Sequence, residues 1–266
     1  MLIATDLDRT LIYSAAAAGQ PADDLVDIEH YEGRPISYLT AASLDLLTEL
    51  AARCLLVPVT TRTPEQLARV RLPAASRYAV AANGGVLLVD GEADADWTAR
   101  IATAVADAAP VREACARLAA AVPSSAAKPS RIAAGLFCYR VVDRTRLPAD
   151  AVDRLRGWAG PAGWTVSLQG RKLYLVPAAL TKSAAVAEIA RRAGTTTTLA
   201  AGDSLLDLDL LAAADRGVHP GHGEIADSGW SAPHVEALPT CGAAAGEDVL
   251  RWLTLRVGEA LATGGP

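Results

Sequence analysis

Residues 4–11 read ATDLDRTL and follow directly on the apolar Met1, Leu2 and Ile3. An apolar run this short and continuous has the pattern of a buried strand. It ends in two carboxylates, Asp6 and Asp8, one residue apart. Taking a carboxylate out of water is costly unless a partner or a cation compensates it, and two carboxylates on one side of a strand repel each other. The stretch therefore calls for positive charge nearby, and the rest of the chain must show where it comes from.

Working outward, the same pattern recurs. CLLVPVT (54–60) is a second continuous apolar run and leads into Thr60, Thr61 and Arg62. TPEQLARVRL (63–72) opens a helix, with Thr63 as N-cap, Pro64 in the first position and Glu65 in the first turn. SYLTAASLDLLTELAA (37–52) has apolar residues at helical spacing. RYAVAANGGVLLV (77–89) reads as a third strand broken by a turn at Asn83, Gly84 and Gly85. TKSAAVAEIARRAG (181–194) is a helix that begins at Lys182 and stops at Gly194. TTTTLAAGD (195–203) is a strand delivering Gly202, Asp203 and Ser204, and LLDLDLLAAAD (205–215) is a helix that places Asp207 four residues after Asp203. Strands apolar throughout and alternating with helices imply an α/β fold, a doubly wound parallel sheet covered on both faces.

The middle of the chain reads differently. After WTARIATAVADAAPVREACARLAAAV (97–122) and a Pro/Ser break come RIAAGLFCYRVV (131–142), a helix around ADAVDRLRGWAG (149–160), and two strand-like runs, WTVSLQG and KLYLVP, joined at Gly170 and Arg171. This suggests a smaller α+β unit at 87–171 set into a core formed by 1–86 and 172–266.

With 266 residues, 51% of them hydrophobic, the chain can bury a sizeable core. A net charge of −5 gives no overall field for nucleic acid or an anionic membrane. No apolar run reaches the roughly 18 residues of a membrane span, and the opening MLIATDLD lacks the basic region of a signal peptide. The expectation is a cytoplasmic protein. Cys54, Cys115, Cys138 and Cys241 show no metal spacing and read as reduced, mostly buried thiols. His219 and His222 lie in GVHPGHGE, where Pro and Gly oppose the helix that would aim both rings at one metal.

Ligands of doubly wound sheets collect beyond the carboxyl ends of the strands. Those ends supply Asp6 and Asp8, then Thr60, Thr61 and Arg62, then Asp203, with Lys182 and Asp207 close by in sequence. Three or four carboxylates with hydroxyls and one ammonium suit a hard divalent cation and a phosphate together, and oxygen ligands favour Mg²⁺. The cation would supply the positive charge that Asp6 and Asp8 require.

At this point DLDRT resembles the DxDxT first motif of the haloacid-dehalogenase superfamily phosphatases. VPVTTR stands for the second motif, Lys182 for the third and GDSLLD for the fourth. NGG resembles the NGA turn of the Cof-like, sucrose-phosphatase-like branch, whose α/β cap is inserted between the second and third motifs, where the 87–171 unit falls. The resemblance spans nearly the whole chain. It implies Asp6 as nucleophile, Asp8 as acid/base, Thr60 as a phosphoryl hydrogen-bond donor and Lys182 as charge balance. It also implies Mg²⁺ held by Asp6, Asp203 and the Asp8 backbone carbonyl, with Asp207 acting through water or by orienting Lys182. Substrate contacts are expected from Thr61, Arg62, the turn at Asn83 and Gly84, and the cap residues Tyr139 and Arg140. Phe137 and Tyr139 should share one face of a cap strand, with Arg140 on the other. Arg131, Trp164, Gln169, Arg171, Lys172 and Tyr174 complete the polar and aromatic side chains of the cap strands.

Two residues depart from the pattern: Arg9 and Thr61 stand where the family usually has glycine. The stretch from Tyr13 to Ser37, with Asp23, Asp24, Asp27 and Glu29, is longer than the usual link and reads as a solvated loop. The function implied is Mg²⁺-dependent hydrolysis of a small phosphate ester, a sugar phosphate, through an aspartyl phosphate. A phosphosugar mutase on the same core and a non-catalytic phosphometabolite-binding protein are the alternatives.

Overall fold

Alternation along the first strand, Leu2–Thr5, sends Leu2 and Ala4 to one side of a sheet and Ile3 to the other, and all are fully buried. The computed structural model, which describes residues 1–73 and 76–263, places this strand inside a five-stranded parallel sheet. The order across the sheet is Val235–Ala237, Arg216–His219, Thr198–Ala201, Leu2–Thr5 and Leu55–Pro58. Leu2, Ala4, Val57 and Ala200 pack with Val186, Ile189, Leu210 and Leu211 of the helices Lys182–Ala193 and Leu208–Ala213. Ile3, Leu56, Leu199 and Val218 pack with Leu47, Leu50, Leu250 and Leu253 of Ala41–Arg53 and Ala243–Thr263. The sheet is covered on both faces, because strands apolar on both sides must bury both.

Caps set the helix starts. Thr40 accepts the Ser43 amide at 3.0 Å, and Thr63 and Gln66 form a reciprocal capping box with Pro64 at the first position. Thr181 caps the helix that begins with Lys182, and Gly194 ends it with φ 64°. The broken third strand is a hairpin, Tyr78–Ala81 with Val86–Val89, joined to the core by a parallel bridge between Val59 and Val80. Two helical expectations shorten. Ser37–Leu39 belongs to a strand, with the helix starting only after Thr40, and the helix opened by Thr63 is the single turn Pro64–Leu67.

The middle unit is an antiparallel sheet in the order Trp164–Gln169, Lys172–Pro177, Phe137–Val141 and Arg131–Ala133. The helices Val111–Ala121 and Ala151–Ala159 cover one face. Its limits differ from 87–171. The Gly170–Arg171 turn is internal to this sheet, so Lys172–Pro177 lies in the cap. At the other end, Val86–Val89 is the second strand of the hairpin with Tyr78–Ala81, and Asp94 joins Arg192 of the helix Lys182–Ala193 at 2.6 Å. Chain order hid both limits, because hydrogen-bond partners rather than composition decide which sheet a strand joins.

The segment read as a solvated loop is a second surprise. Val26–Tyr31 and Arg34–Leu39 pair as an antiparallel hairpin, with register irregularities on both sides of Glu29. That bulge turns Ile28 and Glu29 inward together, and both are buried. Of the four free cysteines, Cys138 is buried, Cys54 and Cys115 are half-buried and Cys241 is exposed. No helix among the described residues is long and apolar enough to cross a membrane.

Candidate active site

Because the five strands run parallel, their carboxyl ends open on one edge, and Asp6 and Asp203 emerge there from adjacent strands. Asp6, Asp203 and Asp207 are all buried, and each offers a carboxylate oxygen within 4.8 Å of the others. Lys182, fully buried, donates to Asp6 Oδ1 at 2.6 Å and to Asp207 Oδ1. The other Asp207 oxygen accepts the Ser204 amide at 2.9 Å, the Ser204 hydroxyl at 2.8 Å and the Asp203 amide at 3.2 Å. Both Asp207 oxygens are thus engaged, one by Lys182 and the other by the Asp203–Ser204 loop. Among the described residues, the other Asp6 oxygen has the Thr10 hydroxyl as its one close donor, at 3.4 Å. Burial pushes the Asp6 carboxyl up to about 7, against the pull of Lys182 and with a further push from Asp207. Burial likewise raises Asp203 well above the usual carboxylate range, with Asp6 and Asp207 adding to it. A protein charge distribution that disfavours its own carboxylates is one that an added dication would complete.

A second charged cluster adjoins the first. Arg62 grips Asp8 at both oxygens, Nε to Oδ2 at 2.7 Å and NH2 to Oδ1 at 2.8 Å. Burial raises the Asp8 carboxyl, but this forked contact outweighs it and holds the group down at about 2. The remaining Arg62 nitrogen donates to Glu29 Oε2 at 2.7 Å, and Glu29 also accepts the Ser37 hydroxyl at 2.6 Å and Arg69 Nε at 3.2 Å. Glu29 is fully buried. The sequence reading missed its role. The signal available was the alternating VDIEHY beside the turn Glu32–Gly33, but strict alternation would have pointed Glu29 away from Ile28.

Thr60 is buried and its hydroxyl oxygen accepts the Arg62 amide at 3.2 Å. Register places Tyr139, Lys172, Tyr174, Ser167 and Gln169 on the cap face opposite the helices. That face meets the core: Tyr174 lies by Thr61 and Asp8, Ser167 Oγ donates to Glu224 Oε2 at 2.5 Å, and Gln169 bonds Ser204. The Tyr139 and Tyr174 rings sit 5.4 Å apart, with Lys172 Nζ 5.8 Å from the Tyr139 ring centre. Arg140 has a different place from the substrate contact expected of it. It is buried on the helix side, donating to the carbonyls of Lys128, Ala119 and Val122, because a helix C-terminus leaves carbonyls that a buried guanidinium can satisfy. Asn83 and Gly84 are likewise used internally. Asn83 Nδ2 donates to Leu180 O at 3.0 Å, and a Cβ on Gly84, at φ 92°, would lie 2.1 Å from Thr181 O. This close packing fixes the loop from which Lys182 springs.

No family model and no curated protein matches this sequence. Solved structures do match its shape. Sucrose-phosphatase from Synechocystis sp. PCC6803, in complex with sucrose and phosphate, aligns at 15% identity over 97% of this chain and 98% of its own, with a TM-score of 0.64. A HAD subclass IIB sugar phosphatase aligns at 14% over 97% and 98%, with a TM-score of 0.59. A haloalkanoate-superfamily phosphatase from Bacteroides thetaiotaomicron aligns at 15% over 97% and 94%, with a TM-score of 0.56. The chain shares its overall fold with these solved phosphatases.

Proposed function

We propose that the protein is a Mg²⁺-dependent phosphomonoester hydrolase acting on a small phosphorylated metabolite of the sugar-phosphate class. The observation that carries this reading is the convergence of Asp6, Asp203 and Asp207 within 4.8 Å around a buried lysine. Three buried carboxylates outnumber the cations that touch them, and their hard oxygen donors fit Mg²⁺. Asp6, Asp203 and the Asp8 backbone carbonyl would hold it. Bound there, the ion supplies positive charge that lets an anionic ester approach an anionic nucleophile.

The chain's own residues then have separable tasks. Lys182 holds one oxygen of Asp6, leaving the other to attack phosphorus as the bond to the ester oxygen breaks. As the negative ester arrives and Arg62 loosens its two-point grip, Asp8 takes up a proton from solvent and then gives it to that leaving oxygen. The carboxylate so formed accepts a proton from the water that cleaves the aspartyl phosphate, freeing Asp6 and inorganic phosphate. The Thr60 hydroxyl donates to a phosphoryl oxygen, and the Tyr139, Lys172 and Tyr174 face closes over the leaving group. The sugar-phosphate class is supported by the sucrose-phosphatase and sugar-phosphatase names of the structural neighbours.

The test is phosphate release from a panel of sugar, nucleotide and glycerate phosphates with Mg²⁺, alongside Asp6→Asn. The expected result is turnover of a sugar phosphate and a loss of about a thousandfold or more in the variant. Equal activity in the two proteins rejects the mechanism. A reaction that needs a bisphosphate and releases no net phosphate points to a mutase instead.

A further inference from the structure

Arg9 directly follows Asp8, the second motif aspartate, and has φ 67°, in the left-handed region that side-chain-bearing residues rarely adopt. Such a conformation persists where the surroundings over-determine it, and often has a functional reason. Here it is fixed from three directions. The Arg9 amide donates to Ile12 O at 2.8 Å, and the Arg9 carbonyl accepts His222 Nε2 at 2.7 Å. Burial pulls His222 down, which favours the neutral ring, and a carbonyl can only accept, which assigns the ring proton to Nε2. The third fixed point is the side chain, whose Nε donates to Asp203 Oδ2 at 3.2 Å.

Asp203 is closed in from its other side. A Cβ on Gly223 would lie 2.6 Å from Asp203 Oδ2 and 2.4 Å from its carbonyl oxygen, so the 220–224 loop packs directly on it. The same loop carries His222. One loop therefore backs Asp203 while holding the turn that aims Arg9 at it. The Arg9 side chain is 34% exposed against 5% for Asp203, so the guanidinium covers the carboxylate from the solvent side.

We propose that Arg9 is a built-in countercharge on Asp203 that competes with the divalent cation and thereby sets how tightly this site binds it. The inference rests on the cation-completed site proposed above. A guanidinium already on Asp203 must share or release that carboxylate when a dication arrives, and two positive centres on one carboxylate repel. Without the cation, the same guanidinium offsets part of the excess negative charge. The chain is then built to bind its cation less tightly than its carboxylates alone would.

The experiment is calorimetric titration of the full chain with MgCl₂ alone, for the wild type, Arg9→Gly and Arg9→Lys, with thermal melts in chelator and in Mg²⁺. Glycine adopts φ 67° freely, so the first variant threatens folding little. Arg9→Gly is expected to bind Mg²⁺ about tenfold more tightly, and Arg9→Lys to stay within about twofold of wild type because it keeps the charge. Arg9→Gly should also gain a larger melting-temperature rise on adding Mg²⁺. Equal or weaker binding in Arg9→Gly overturns the countercharge, as does Arg9→Lys binding as tightly as Arg9→Gly; either leaves the hydrolase reading standing. Absence of Mg²⁺ binding in all three overturns the cation-completed site and this inference with it.

Discussion

The Asp6, Asp203 and Asp207 cluster sets three carboxylates against Lys182 and the half-exposed Arg9, whereas the adjoining cluster sets Asp8 and Glu29 against Arg62 and Arg69. The first is short of positive charge and the second is balanced. The difference shows in how the two clusters treat their acids: Asp6 is pushed up to about 7 by burial, while Asp8, despite burial, is held at about 2 by Arg62. A cluster that disfavours its own ionised form is arranged to receive charge from outside. One that satisfies itself is arranged to hold side chains still. The two share a cap, so Asp8 stands where a fixed network meets a site that must change its charge during a reaction.

Removing Lys182 should break this contrast most severely. Lys182→Met leaves Asp6 and Asp207 buried and uncompensated, which costs about 3–5 kcal/mol. Urea unfolding measures it, and Mg²⁺ should restore part of the loss because the added cation replaces the missing charge. Glu29→Gln should cost less, about 2–3 kcal/mol, since Arg62 keeps Asp8. Here Mg²⁺ should restore almost none of the loss. The same variant should lower kcat of the proposed hydrolysis more than it raises KM, because it frees Arg62 without touching the ester. If Mg²⁺ rescues both variants equally, the two clusters are one and the contrast fails.

The smallest effect expected is on pH dependence, where the clusters should have opposite signs. Asp6 is raised in the folded chain from 3.8 to about 7, so its contribution to stability is full below 3.8 and is lost as pH rises through about 7. Asp8 is lowered from 3.8 to about 2, so its contribution is present above 3.8 and is lost as pH falls through about 2. Thermal melts in chelator should decline from pH 5 to pH 8, and Mg²⁺ should flatten that decline. The acid side should be unaffected by Mg²⁺. A decline toward pH 8 that Mg²⁺ leaves untouched argues against a cation at Asp6.

Much of the molecule could be read from local pattern. Leu2–Thr5 and Thr198–Ala201 are buried strands because they are apolar on both sides, and their parallel pairing brings Asp6 and Asp203 to one edge. The Thr63 and Pro64 helix start and the Gly194 stop follow from backbone chemistry that needs only neighbouring residues. Arg140 shows where such reading ends. Alternation correctly set it opposite Tyr139, but nothing in the sequence says that the opposite face holds a helix end whose carbonyls take up the guanidinium.

What the chain order settled by itself was which residues end the core strands, and so which carboxylates, hydroxyls and lysine meet at one edge. Strand ends and helix caps are local properties, and a parallel sheet gathers its carboxyl ends without further instruction. The tertiary structure alone decided the charge balance: that a bulge turns Glu29 inward to complete Arg62, that Lys172–Pro177 joins the cap, and that Arg9 lies on Asp203. Each of these depends on contacts between residues far apart in the chain, 33 positions for Arg62 and Glu29 and 194 for Arg9 and Asp203, and electrostatic pairing is set by distance in space.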